Sequence, residues 1–96
     1  MKTDDIEEFV SKHGLTVHDQ MLCLMEEMGE LGEAMLRDDA SAITEELGDI
    51  VFVAFTIAVM YDVDLERITE ETAAENIKKT RSTDGAKITK NTDDSG

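Results

Sequence analysis

Two short acidic runs carry the clearest chemical pattern in this chain: Glu26, Glu27 and Glu30, then Glu45, Glu46 and Asp49. On a helix, residues three apart sit about 60° apart around the axis and about one turn along it. Glu27 with Glu30 therefore forms one vertical pair, and Glu46 with Asp49 forms another. Both pairs fall at the edge of an apolar stripe. If their helices pack antiparallel, as a short connector favours, the pairs face each other across a seam. Four converging carboxylates repel unless something neutralises them, and two outcomes are open: raised pKa values or bound cations. A ligand set that is all oxygen and all anionic suits hard ions such as Mg²⁺ or Mn²⁺ and disfavours zinc. Either run alone reads as a solvated acidic face, but two matched pairs on adjacent helices, each beside glycine, favour a metal site. Gly29, Gly32 and Gly48 each cost a helix roughly 1 kcal/mol relative to Ala, which points to places where backbones approach closely.

Four helical segments are needed to position these residues. The first spans about 4–12, with Thr3 or Asp4 as N-cap, His13 and Gly14 as its stop, and Ile6, Phe9 and Val10 on one face. The second begins after Thr16, with Asp19 three places on, and runs to about Arg37. Its stripe of Met21, Leu24, Met25, Met28, Leu31 and Met35 reads as adaptable core. A connector at 38–41 offers its own N-caps, and the third helix continues to about Tyr61. From 50 to 60 that helix is apolar on every side, so a second subunit is expected to cover what one small domain cannot enclose. Asp62, Val63 and Asp64 make a tight joint, and Asp64 caps a fourth helix from Leu65 to about Lys79. The expected fold is an all-α, oligomeric four-helix bundle over residues 1–81, with a polar, flexible tail at 82–96.

Composition narrows the function classes. A chain of 96 residues suits one domain and buries only a modest share of its surface alone. It is 41% hydrophobic, has no proline and is only 4% aromatic, which favours helix over disorder. With 23 acidic against 9 basic residues and a net charge of -14, generic binding to nucleic acid or anionic lipid is disfavoured. Any phosphate-bearing ligand would need a cation as intermediary. The acidity fits a salt-adapted proteome as well as it fits a carboxylate-rich site with ordinary solvated faces. One cysteine leaves no internal disulfide and suits a reducing compartment. No apolar segment of signal-peptide kind follows Met1, and the longest apolar run is too short for a bilayer, so a cytoplasmic location and no membrane partner are expected.

The residues around the carboxylates resemble the all-α nucleotide pyrophosphohydrolases of MazG type. Glu26, Glu27 and Glu30 followed by Glu46 and Asp49 read as that family's EExxE and ExxD motifs. Flanking Leu24, Met25, Met28, Gly29 and Leu31, then Leu47, Gly48 and Ile50, are similar too. Asp64, Leu65 and Glu66 at the start of the fourth helix, and Asn76 and Lys79 near its end, carry the likeness over about residues 15–85. The resemblance implies a bundle of MazG type and Mg²⁺-dependent hydrolysis, with Mn²⁺ possible, of a nucleoside triphosphate to the monophosphate and pyrophosphate. Water would attack the α-phosphorus. It implies Glu27, Glu30, Glu46 and Asp49 as metal ligands, and Glu26 and Glu45 as catalytic acidic residues that orient water or bind a further metal. Asn76 and Lys79 would contact phosphates or sugar. The implied partners are the triphosphate and further copies of the chain, as a dimer or tetramer.

Two other functions keep the same carboxylates. Phosphoribosyl-ATP pyrophosphatases share the helical architecture, although residues 46–49 and the segment after them look closer to the MazG type. A non-catalytic helical dimerisation module would bind a divalent ion for structure alone. Lys78, Lys79 and Arg81 form a basic island that reads equally as a phosphate contact or as a helix-dipole pattern. His13 reads as a helix-end residue, His18 as a surface residue and Cys23, without a His or Cys partner, as structural. Phe9, Phe52 and Phe55 read as core or interface, too few to place a base pocket. No Ser, Cys or His is paired with a base, so direct hydrolysis without a covalent intermediate is expected.

Overall fold

Each helix begins and ends where local backbone chemistry requires it. The computed structural model describes residues 3–81 and 88–90. Helix α1 (Asp4–His13) has Thr3 at its N-cap position, but the Thr3 hydroxyl makes no capping bond; Asp4, Asp5 and Glu7 supply negative charge to that end instead. Helix α2 (Val17–Leu36) opens on a full capping box: Thr16 Oγ1 accepts from the Asp19 N–H at 3.1 Å, and the Asp19 carboxylate accepts from the Thr16 N–H at 3.4 Å. Helix α3 (Ala40–Met60) is capped by Asp39 and α4 (Leu65–Asn76) by Asp64, whose carboxylates accept from the Ala42 and Arg67 N–H groups. Three of the helices stop in the same way. The N–H groups of Leu15, Asp39 and Val63 reach back five residues to the carbonyls of Val10, Ala34 and Ala58. Each turn closes over a left-handed residue, Gly14 at φ 57°, Asp38 at 54° and Asp62 at 54°.

Helices α1 to α3 form one compact unit, and α4 belongs to a second. In the first unit α2 and α3 run antiparallel: Gln20 bonds Thr56, while Glu27 meets Glu46 and Asp49 nearer the connector. On α2 the buried and half-buried line is Gln20, Leu24, Glu27, Leu31 and Ala34, a heptad-like seam. On α3 it is Ile43, Glu46, Ile50, Val53 and Thr56. Helix α1 meets α3 where the Phe9 and Phe52 rings stand edge to face with centroids 5.0 Å apart. Among the described residues, the buried apolar ones are Ile6, Ala34, Val53, Phe55 and Ala58.

That seam lies one position away from the expected methionine stripe. Met21, Met25, Met28 and Met35 are exposed in this chain, and only Leu24 and Leu31 of the stripe are half-buried. A single partner helix covers a narrow strip of α2, and Glu27 occupies part of it. On α3, Val51 and Phe52 likewise remain exposed, so its apolar circumference is not closed within the chain. The glycines correct a second expectation: a Cβ at Gly29, Gly32 or Gly48 would meet nothing within 4 Å. No close backbone approach among the described residues explains them.

The second unit holds α4 and a short ladder in which β1 (Lys79–Arg81) pairs antiparallel with β2 (Ile88–Lys90), Thr80 opposite Thr89. The class remains all-α, with four helices among the described residues, since a ladder of two three-residue strands is a minor appendage. Helix α4 stops at Asn76, short of the expected Lys79, and has no basic residue in its last turn. The basic island is therefore not a helix-dipole pattern within α4: Lys78 lies in the turn and Lys79 and Arg81 in β1. Residues 88–90, expected in the tail, pair with 79–81; the remainder of 82–96 lies outside the described residues. No helix among the described residues is long and apolar enough to cross a membrane.

Candidate functional site

The acidic pairs meet inside the seam between α2 and α3 rather than on its flank. Glu27 and Glu46 are half-buried at positions that leucines would fill in an ordinary helical pair, and Asp49, Glu30 and Glu26 are more exposed around them. Two triads result. Oxygens of Glu27, Glu46 and Asp49 lie within 4.8 Å of one another, and so do those of Glu26, Glu27 and Glu30. Glu27 belongs to both. The structure thus brings together five of the six acidic residues singled out in the sequence; Glu45 is exposed and falls in neither triad. Asn76 and Lys79 belong to the second unit. The Asn76 amide donates to the Thr72 carbonyl at 2.9 Å, and Lys79 is half-buried at the start of β1.

The electrostatics of the seam are unbalanced. Glu27 Oε2 and Glu46 Oε2 are buried and have no hydrogen-bond partner. As carboxylates both can only accept, so neither can satisfy the other. A proton on Glu46 turns it into a donor toward Glu27, and that hydrogen bond, followed by desolvation and the charges of Glu30 and Glu27, pushes its carboxyl up to about 7. A cation would serve the same oxygens without a proton. Hard, anionic, closely spaced oxygens fit a divalent ion of the Mg²⁺ type, and the two orphaned oxygens are where it would be held. Burial, and then the negative charges of Glu27 and Glu26, raise the Cys23 thiol above its ordinary range. It stays protonated and is a poor nucleophile.

A cavity of about 260 Å³ opens beside the carboxylates. Glu27 and Asp49 border it together with Phe9, Leu15, Gln20 and Phe52. This neighbourhood escaped the sequence reading, which assigned the phenylalanines to core or interface. Two signals pointed to it: Phe52 follows Asp49 by one helical turn, and Gln20 is a polar residue two turns before Glu27 in an otherwise apolar line.

Residues 15–84 match the family described as the MazG nucleotide pyrophosphohydrolase domain, a span that includes the whole carboxylate seam and α2 to α4. The chain belongs to this family. Comparison with curated proteins and with solved structures gives no match. Membership in the MazG family places the chain among nucleotide pyrophosphohydrolases, a class of hydrolases that act on nucleotides, and accounts for an acidic cluster suited to a divalent metal. Within this MazG domain, α2 and α3 carry all five clustered carboxylates.

Proposed function

We propose that this chain hydrolyses ribo- or deoxyribonucleoside triphosphates to the monophosphate and pyrophosphate in a reaction that requires Mg²⁺ or Mn²⁺. One observation supports the reading above others: two buried carboxylate oxygens, on Glu27 and Glu46 of one triad, have no donor among the described residues. Glu27, Glu30, Glu46 and Asp49 would hold the metal, one ion or two that share Glu27. A bound divalent ion supplies charge neutralisation for the triphosphate, polarises a phosphoryl oxygen and acidifies water. The protein's own part is to hold the α-phosphorus in line with a water and to take that water's proton. Glu26 is the base in this reading, because it is exposed and an oxygen of it lies within 4.8 Å of Glu27 and Glu30; Glu45 is the second candidate. Water forms a bond to the α-phosphorus, the bond to the bridging oxygen breaks, and pyrophosphate leaves with the electron pair. Asn76 and Lys79 are the proposed contacts to phosphate or sugar, on residue chemistry alone.

The reading includes a homo-oligomer. Met21, Met25 and Met28 on α2, with Leu47 and Val51 on α3, are exposed in the single chain, and a second copy would bury them. The test of the reaction is a panel of triphosphates with Mg²⁺, scored separately for pyrophosphate and orthophosphate, with one turnover in ¹⁸O-water. Label in the monophosphate and none in pyrophosphate is expected. Label in pyrophosphate means attack at the β-phosphorus, and orthophosphate release means a γ-phosphatase. A folded protein that binds Mg²⁺ but turns over no triphosphate is a structural metal module, and turnover of phosphoribosyl-ATP alone assigns the histidine-pathway type of activity.

A further inference from the structure

We propose that the cavity bordered by Glu27 and Asp49 receives the nucleobase, and that the Gln20 carbonyl reads an N–H on the base edge. The inference rests on the triphosphate reading and deepens it. The cavity, about 260 Å³, is slightly smaller than the ~300 Å³ at which pockets for drug-sized ligands begin, so it suits a flat ring and not a whole nucleotide. It shares Glu27 and Asp49 with one carboxylate triad, so a phosphate chain tethered there through a cation leaves its other end beside the cavity. Phe9 and Phe52 supply aromatic surface, and Leu15 adds an aliphatic wall. Bases bind such surfaces by stacking, which tolerates any ring and cannot choose among them.

Choice requires a polar group whose orientation is held, and Gln20 is one. Its side chain is buried, 6% exposed, yet lines the cavity. Thr56 Oγ1 lies 2.6 Å from the Val53 carbonyl, which can only accept, so the single hydroxyl hydrogen is spent there. Toward Gln20 the hydroxyl can therefore only accept, and the contact at 2.7 Å must come from the Gln20 amide nitrogen. This settles which end of the amide is which. Oε1 takes part in no hydrogen bond among the described residues, and it is the free acceptor of a residue that borders the cavity. A ligand that offers an N–H satisfies it, and one that offers a carbonyl or a methyl leaves it unpaired.

The test is calorimetric titration of the whole chain with Mg²⁺ and the monophosphates of the four common deoxynucleosides. The best binder is then repeated with its edge N–H groups replaced by N-methyl. Wild type is expected to prefer one base over the weakest by about 10-fold or more and to lose about that factor on N-methylation. Gln20→Met keeps the volume and removes the acceptor; it should bring the four bases, and the methylated analogue, to within a few-fold of one another while stacking affinity persists. Thr56→Val frees the amide to turn and should relax selection in the same direction. Equal binding of methylated and unmethylated base by wild type overturns the proposal, and needs no variant to fold. So does a uniform loss across all bases in a folded Gln20→Met protein, or no nucleotide binding by wild type. Selective monophosphate binding with no triphosphate turnover would leave the pocket assigned and sink the reaction; turnover without base selection would do the reverse.

Discussion

Glu46 concentrates the chemistry of the site in one side chain. Its carboxyl is pushed up to about 7, chiefly by the hydrogen bond its protonated form makes to Glu27 and by desolvation. The folded, metal-free chain therefore binds this proton more tightly than the unfolded chain does. The stabilising contribution is full below the ordinary glutamate range near 4.5 and is lost as pH rises through about 7. A metal competes with that proton, so Mg²⁺ affinity should fall as pH drops from 8 to 6, measured by calorimetry with proton release followed in two buffers. Glu46→Gln should remove this pH dependence and leave the metal-free protein at least as stable at pH 8. Loss of outer-shell metal partners costs about 10- to 100-fold in affinity or activity, so Glu27→Gln, Glu46→Gln or Asp49→Asn should each cost about 100-fold or more in turnover. Circular dichroism should show the fold intact in each; full activity in Glu46→Gln would sink the metal assignment. The carboxylates themselves were legible in the sequence because i, i+3 spacing on a helix is a local property. That Glu27 and Glu46 would face each other followed from antiparallel packing, as found; that they lie within the seam instead of at its edge did not, because the facing side of α2 depends on which strip α3 covers.

At the scale of elements, three helix ends share one turn, but only one of them has the residue that turn prefers. Gly14 adopts φ 57° without penalty, whereas Asp38 and Asp62 adopt 54° with a Cβ. A non-glycine residue in the left-handed region costs roughly 1–2 kcal/mol, less for Asp than for most. Asp38→Gly and Asp62→Gly should each raise stability by up to about 1 kcal/mol, and Gly14→Ala should lower it by about 1 kcal/mol. Urea denaturation with unchanged m-values checks all three. Thr16→Ala removes half of a capping box and should cost about 1 kcal/mol in the same assay. Gly32→Ala meets no atom and improves helix propensity, so it should gain up to about 1 kcal/mol. Caps and stops were readable residue by residue, because each acts within five positions of the chain. The ladder of β1 with β2 was not: its six residues carry no alternation strong enough to compete with a polar, loop-like composition.

For the whole molecule, the exposed face of α2 and α3 sets the expected assembly. Met25 is 62% exposed and Met28 57%, values that a stable water-soluble surface rarely repeats along one stripe. Light scattering should give a species larger than 10.6 kDa, and Met25→Asp should shift it toward a folded monomer. Phe55→Asp is a different case: Phe55 is 7% exposed, and an unpaired buried charge costs several kcal/mol, so that variant should unfold rather than dissociate. A folded wild-type monomer at micromolar concentration would remove the assembly from the reading. By itself the sequence determined the helical class, the starts of the four described helices to within a residue or two, three of them capped by a side chain, and the acidic pairs able to hold a hard cation. Those follow from short-range backbone and side-chain chemistry, which a linear reading contains. Only the tertiary structure decided that the seam runs through Glu27 instead of the methionines, that two carboxylate oxygens are left without donors, and that Thr56 takes the amide nitrogen of Gln20. These depend on contacts between residues about 20 to 36 positions apart, whose geometry is set by how α2 settles against α3.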